Sequence, residues 1–372
     1  MASEGDSVDY DKLRSNARKG AMKANKKAAS SNTTTYIAVG LFGIIVAFVI
    51  GLLIFNPELP LSKIPVFDPE YIRLQNEQKL SFTLGENLFF ADKTLEYAKL
   101  VSQNGISQNA KTINSCITYQ NEGEIVPATF DLRVERESCM APVQNQGNCS
   151  SGYAFATSGV TAERLCMSTN GLFNDLLSAQ DMVSCSKRTS KCASGNIDMA
   201  WNQIRDNGLV DPHCFQYTSG SGVVPECSDK CEKAGIKVTS ICATAGEGGI
   251  MREIKNYGPV VGIIQLYSDF LNYKSGIYEP HISATRVQGA QAVEIVGWGV
   301  DEKDVQYWIV KNSWGESWGE QGYAYVKKGV KDLGLEDFVL TATPVVPESL
   351  TKGAAGEEQF ENLDEVNEDS TI

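Results

Sequence analysis

The chain has 372 residues, 42% of them hydrophobic, which is enough to bury one large core or two moderate ones and too much for a disordered protein. Its formal charge of -13 excludes a nucleic-acid binder, because phosphate recognition needs Lys and Arg clustered on the folded domain. All 10 cysteines fall between Cys116 and Cys242, an even number distributed as disulfides of an oxidising compartment are; with His213 and His281 the only histidines and Cys227 and Cys231 the one near-pair, zinc-ribbon spacing is missing, and neither metal nor cofactor is expected.

Residues 1–35 carry Lys12, Arg14, Arg18, Lys19, Lys23, Lys26 and Lys27 without an intervening acid. Tyr36 to Phe55, YIAVGLFGIIVAFVIGLLIF, is uncharged and, at about 1.5 Å per residue, long enough to cross a bilayer core of about 30 Å. The positive-inside rule then places residues 1–35 in the cytosol as a tail and everything after Asn56 in the lumen or outside, a single-pass type II arrangement within the secretory pathway. A cleaved signal peptide is the alternative, against which stand the length of the run and the lack of an A-x-A-like site. In the tail, Tyr10 to Leu13 reads YDKL, a tyrosine-x-x-bulky pattern that sorting adaptors take up and that would send the chain to endosome or lysosome; a plain solvated tail is the alternative reading of these four residues, and the cell surface is the other destination.

From Leu61 to Gly123 the chain is polar and helix-compatible, with Phe82, Leu84, Leu88, Phe89, Phe90, Leu95, Leu100 and Val101 spaced to form one or two short amphipathic helices. This stretch reads as propeptide-like, and NEGEIVP as the linker after it. Ser150 to Cys166 is predicted helical, as are Ser178 to Cys185 with an N-cap serine and Ile197 to Asn207 closed by Gly208. The period then changes: Pro259 to Tyr267, Ala292 to Gly297, Tyr307 to Val310 and Tyr323 to Val326 are short β-branched or aromatic runs between Gly, Asn and Ser, as antiparallel strands are. A helical half followed by a strand half gives an α+β molecule with a cleft between them. Residues 345–372, rich in acids, read as a solvated, disordered tail.

A thiol protease needs a cysteine at a helix N-terminus beside an imidazole, since helix dipole and cation both favour the thiolate. The motifs PATFDLR, QGNCSSGYAFA, ERLCMSTNG, YSDFLNYKSGIY, VEIVGWG and KNSWGESWGEQGY together resemble the papain family of cysteine peptidases, cathepsin B-like members above all, over about Pro127 to Pro344. The resemblance implies a papain-like two-lobed fold for residues 124–344, a helical lobe and an antiparallel β-barrel-like lobe. It also implies that Gly152 stands where the nucleophile belongs and Gln291 where the base belongs. Gln146 matches the oxyanion-hole glutamine, Asn312 the residue orienting the catalytic histidine, and Trp314 the tryptophan shielding that pair. Where the family has its cleft-lining segment this chain has Cys192, Ala193, Ser194 and Gly195, of which only the last glycine survives, similar to the main-chain contact for substrate; Phe338 maps to the bottom of the second specificity pocket and would favour an apolar side chain.

The resemblance further pairs Cys149 with Cys192, Cys139 with Cys166, Cys185 with Cys227 and Cys214 with Cys231. Cys116 and Cys242 have no counterpart: bonded to each other they would tie the propeptide-like segment to the domain, and unpaired or differently paired thiols are the alternative. The stretch Cys214 to Cys227, CFQYTSGSGVVPEC, is short and lacks the histidine pair by which cathepsin B removes dipeptides. Asn148 opens an N-C-S sequon that the neighbouring disulfide is expected to keep unmodified.

Ser150 and Ser151 flank the vacancy, but an alcohol at neutral pH needs a base, and a glutamine amide is a poor one. The chain therefore reads as a membrane-anchored pseudopeptidase whose cleft binds a polypeptide or its own propeptide. The rival readings are a working cysteine-type peptidase using a non-standard residue, and a structural or adhesive ectodomain.

Overall fold

The computed structural model describes residues 60–116, 123–227 and 235–350. The tail and its YDKL motif, the apolar run Tyr36 to Phe55, Cys231, and residues 351–372 of the acidic tail lie outside the described residues; no helix among those described is long and apolar enough to cross a membrane. Residues 348–350, expected to belong to the disordered tail, are helical.

In the N-terminal segment, helix α1 (Pro69–Glu77) begins where the Asp68 carboxylate accepts the Glu70 and Tyr71 N–H groups and Pro69 supplies a ready-made first turn. Residues 82–84, expected to be helical, instead form strand β1 (Phe82–Leu84), because they pair along the margin of the sheet, where Phe82 and Leu84 bury one face and Thr83 stays exposed. Helix α2 (Leu95–Leu100) is capped by Thr94, and strand β2 (Asn104–Gly105) follows.

Strand β3 (Phe130–Asp131) leads to helix α3 (Gly152–Ser168), which starts two residues later than Ser150 and is buried almost throughout. Helix α4 (Ala179–Cys185) is capped by the Ser178 hydroxyl, which accepts the Asp181 N–H at 3.0 Å. Strand β4 (Gly195–Asn196) runs into helix α5 (Ile197–Asn207), which Gly208 ends at φ 76, a conformation glycine adopts without strain. The second half contributes β5 (Val238–Thr244), helix α6 (Gly246–Tyr257), β6 (Val260–Tyr267), β7 (Tyr273–Tyr278), β8 (Arg286–Val300), β9 (Gln306–Lys311), β10 (Tyr323–Lys327) and β11 (Val339–Pro344).

Among the described residues these strands make a nine-stranded sheet in the order β1-β7-β10-β9-β8-β6-β11-β5, with β3 beside β8. The N-terminal segment reaches both ends of it. At one end β1 pairs with β7, and at the other Cys116 N–H donates to Ala243 O while Ala243 N–H donates to Asn114 O, both at 2.9 Å. Cys116 and Cys242 are joined by a disulfide there. The same segment places Val66, Ile72, Phe82, Leu84, Phe90, Leu95, Ala98 and Val101 in one core with Phe270, Tyr278, Trp314 and Trp318. Helices α3, α4 and α5 pack on a second core, in which Trp201 and Tyr153 are fully buried.

Candidate active site

Helix α3 points its N-terminus at strand β8, and Gly152 and Gln291 face each other across that junction. A β-carbon built on Gly152 would lie 2.6 Å from Gln291 Nε2, so the glutamine side chain fills the space in front of the missing side chain. Gln291 is fully buried, and its Nε2 faces Gln146 Oε1 at 2.8 Å, Ser313 Oγ at 3.0 Å and Asn312 Oδ1 at 3.2 Å. Three acceptors on one side orient the amide, leaving Oε1 to face the other way. Ser313 Oγ in turn donates to Gln146 Oε1 at 2.8 Å.

Gln146 turns its Nε2 to two carbonyls, Cys149 O at 2.8 Å and Val101 O at 2.7 Å, so the amide that the resemblance makes an oxyanion donor is already occupied by the N-terminal segment. That segment continues through the cleft with both walls bonded to it. Ala290 N–H donates to Ser102 O at 2.8 Å, Gly195 N–H donates to Gln103 O at 3.1 Å, and Gln103 N–H donates to Ser150 Oγ at 2.7 Å. Strands β2 and β4 pair in parallel, Asn104 opposite Gly195. Asn104 Oδ1 accepts the Tyr153 N–H at 2.6 Å, in the first turn of α3. A β-carbon at Gly195 would fall on the Tyr153 ring, which is why the strand can lie so close only as glycine.

The remaining predicted residues lie around this centre. Ser194 gives its carbonyl to Ser190 N–H at 3.0 Å, and Trp314, fully buried, packs its ring 4.9 Å from Phe90 and 5.7 Å from Phe89 of the segment. Phe338 is half-buried and lines an open groove of about 450 Å³ together with Ile106 of the segment, Ile263, Gln265 and Arg286. Asn312 donates nothing from its buried Nδ2 among the described residues. The Cys139–Cys166, Cys149–Cys192 and Cys185–Cys227 disulfides are formed, and Cys214 is disulfide-bonded. Asn148 of the sequon is exposed next to the bonded Cys149, and its Oδ1 accepts from Tyr97 OH at 2.5 Å.

Among the described residues, neither serine near Gly152 has a base. Ser150 Oγ accepts the Gln103 N–H, and Ser151 Oγ lies 2.8 Å from Tyr217 OH, which donates to Gln146 O at 2.8 Å. Burial raises the Tyr217 phenol and pushes that of Tyr153 up to about 12, so both stay protonated at neutral pH. His281 sits on the loop between β7 and β8, its Nδ1 2.7 Å from Ser283 Oγ, and His213 is exposed beside Cys214. Behind the centre, Lys311 of β9 donates to Glu163 of α3 at 2.6 Å and stands 3.4 Å from Glu294 of β8, a buried trio linking helix to sheet. Burial, with the Glu163 charge beside it, holds the Glu294 carboxyl well above the usual carboxylate range.

Residues missed in the sequence are Val101, Ser102, Gln103, Asn104 and Ser313. Only the Asn104-Gly105 dipeptide, a break in the helical pattern, marked the place where the segment turns extended.

The profile described as papain family cysteine protease matches residues 126–343, more than half of the chain, and the chain belongs to that family. It is 31% identical over 249 residues to cathepsin B-like CP2 of Giardia intestinalis, covering 65% of this chain and 82% of that protein. It is also 27% identical over 312 residues to tubulointerstitial nephritis antigen-like of Homo sapiens, covering 73% and 67%. Among solved structures, procathepsin B S9 from Trypanosoma congolense superposes with a TM-score of 0.69 at 24% identity, over 76% of this chain and all of that one, and the digestive procathepsin L2 of Tenebrio molitor with 0.64 at 25%, over 74% and 89%.

Proposed function

We propose that this chain is a catalytically inert, membrane-anchored member of the papain family whose cleft is kept by its own N-terminal segment. Residues 61–123 act in this reading as a retained propeptide-like segment, residues 124–344 as the papain-like domain, residues 36–55 as the anchor, residues 1–35 as a cytosolic tail and residues 345–372 as an acidic tail. The domain then faces the lumen or exterior, in keeping with its disulfides.

One observation carries the proposal: Gln146 Nε2 donates to Val101 O, and Gln103 and Asn104 lie bonded between Gly195 and Ala290, in front of a Gly152 and a Gln291 that hold neither thiol nor imidazole. Losing either member of a nucleophile–base pair lowers turnover by roughly 10⁶, and losing the second adds little. Solved structures named as procathepsins support a self-occupied cleft. The test is a fluorogenic-peptide assay on the purified full chain together with a thiol-directed active-site probe. No turnover and no labelling are expected; turnover abolished by Ser150→Ala or Ser151→Ala would overturn the reading.

A further inference from the structure

Beside Gly152 and Gln291 the cleft holds one side chain of the segment, that of Asn104, 7% exposed. Its Oδ1 accepts from Tyr153 N–H at 2.6 Å, and its Nδ2 faces two oxygens, Ala290 O and Gln291 Oε1, each at 3.4 Å. The donor lies in the first turn of the 17-residue helix α3, where unsatisfied N–H groups and the helix dipole both call for an acceptor. The two oxygens call for a donor. Gln291 cannot turn to relieve this, because its Nε2 is held by Gln146, Ser313 and Asn312.

We infer that the centre where the family's nucleophile and base belong has become a carboxamide-binding pocket, which takes an extended peptide and reads asparagine at one position, supplied in this chain by Asn104. The inference rests on the self-occupied cleft proposed above and adds what the cleft selects. A primary amide meets both demands, offering an acceptor to the helix and a donor to Ala290 and Gln291. Aspartate has the same shape but only acceptors. The helix dipole would favour its charge only modestly, whereas leaving a buried carboxylate incompletely paired costs more than that gain, so asparagine wins. Alanine leaves both demands unmet.

The pocket has a second consequence. Asn104, Gln291, Gln146 and Asn312 are carboxamides, and Ser313 is an alcohol, so none of the groups gripping the segment titrates near physiological pH. A thiolate–imidazolium pair at the same place would change charge with pH, and this one does not.

Hydrogen exchange on the full chain tests the inference, read at the Ala290 and Gly195 amides, which the segment covers through Ser102 and Gln103 and not through Asn104 itself. Both amides are expected to be protected in the wild type. In Asn104→Asp at pH 7 they should exchange roughly tenfold faster than wild type at the same pH, the equivalent of one lost hydrogen bond. At pH 4 the protonated acid regains a donor, and its exchange should return toward wild type. Asn104→Ala should exchange faster at both values. Because the aspartate variant is isosteric and serves as its own folding control at pH 4, a global loss of structure in the alanine variant does not blur the result. Two variants indistinguishable from wild type, or an aspartate effect that ignores pH, would overturn asparagine reading while leaving the occupied cleft intact. Unprotected Ala290 and Gly195 amides in the wild type would overturn the occupied cleft, and the asparagine reading with it.

Discussion

Gln291 Nε2 stands 2.6 Å from the point where a β-carbon on Gly152 would lie. The two departures from the family pattern are therefore coupled in space: the glutamine occupies room that the glycine leaves.

Restoring a side chain at 152 should accordingly be unfavourable while Gln291 remains. Gly152→Cys is expected to lose about 1–3 kcal/mol through overpacking, and Gln291→Ala to lose stability by leaving Gln146, Asn312 and Ser313 facing one another. Combined, the two should be less damaging than their sum, since each removes part of the other's conflict. Denaturant melts of the two single variants and the double variant measure the coupling; strict additivity would show that the two positions do not compete.

The Cys116–Cys242 disulfide closes a sequence separation of 126 residues. On chain-entropy grounds its loss should remove roughly 3–5 kcal/mol, so Cys116→Ser with Cys242→Ser is expected to melt well below wild type. Peptide mapping without reduction should recover the two cysteines as one linked species, and finding either thiol free would contradict the bond.

Stability should also fall as pH rises, through Glu294. Its carboxyl is held protonated in the folded chain well above the 4.5 of an ordinary glutamate, chiefly by burial and next by Glu163, with Lys311 opposing. The folded state thus keeps a proton that the unfolded chain releases near pH 4.5; this contribution is full below that pH and is lost as pH climbs through the raised folded value. Glu294→Gln, which needs no proton, should flatten the fall in melting temperature between pH 4.5 and 7 and raise it at pH 7. Parallel curves for the two proteins would remove Glu294 as the cause.

Gly195→Val drives a branched side chain into the Tyr153 ring and so shifts strand β4, on which β2 of the segment pairs. The segment should be displaced from the cleft, with limited proteolysis newly cutting between Val101 and Ser107 while wild type resists. Equal resistance would mean that the wall at Gly195 gives way instead.

Much of the domain was readable because its elements obey local rules. Ser178 caps α4 and Gly208 ends α5 through groups that lie next to the helices they bound. The strands β6, β9 and β10 follow from their β-branched and aromatic runs. Gly152 and Gln291 were legible because the motifs around them place each in register with a known centre. Residues 82–84 were misread because three residues cannot declare a period, and their extended form is set by β7, nearly two hundred residues away in the chain. Asn104 was invisible for a related reason: its partners, Tyr153, Ala290 and Gln291, are brought to it by the folding of both lobes, and nothing in VSQNGI announces them.

The N-terminal segment lies on β7 at one margin of the sheet and on β5 at the other. Were everything before Gly123 removed, the β7 and β5 margins would each offer naked backbone to neighbouring molecules, inviting sticking and precipitation. A cut in the linker before Gly123 would leave the severed leader still tethered to β5 through the Cys116–Cys242 bond, covering the same backbone edge.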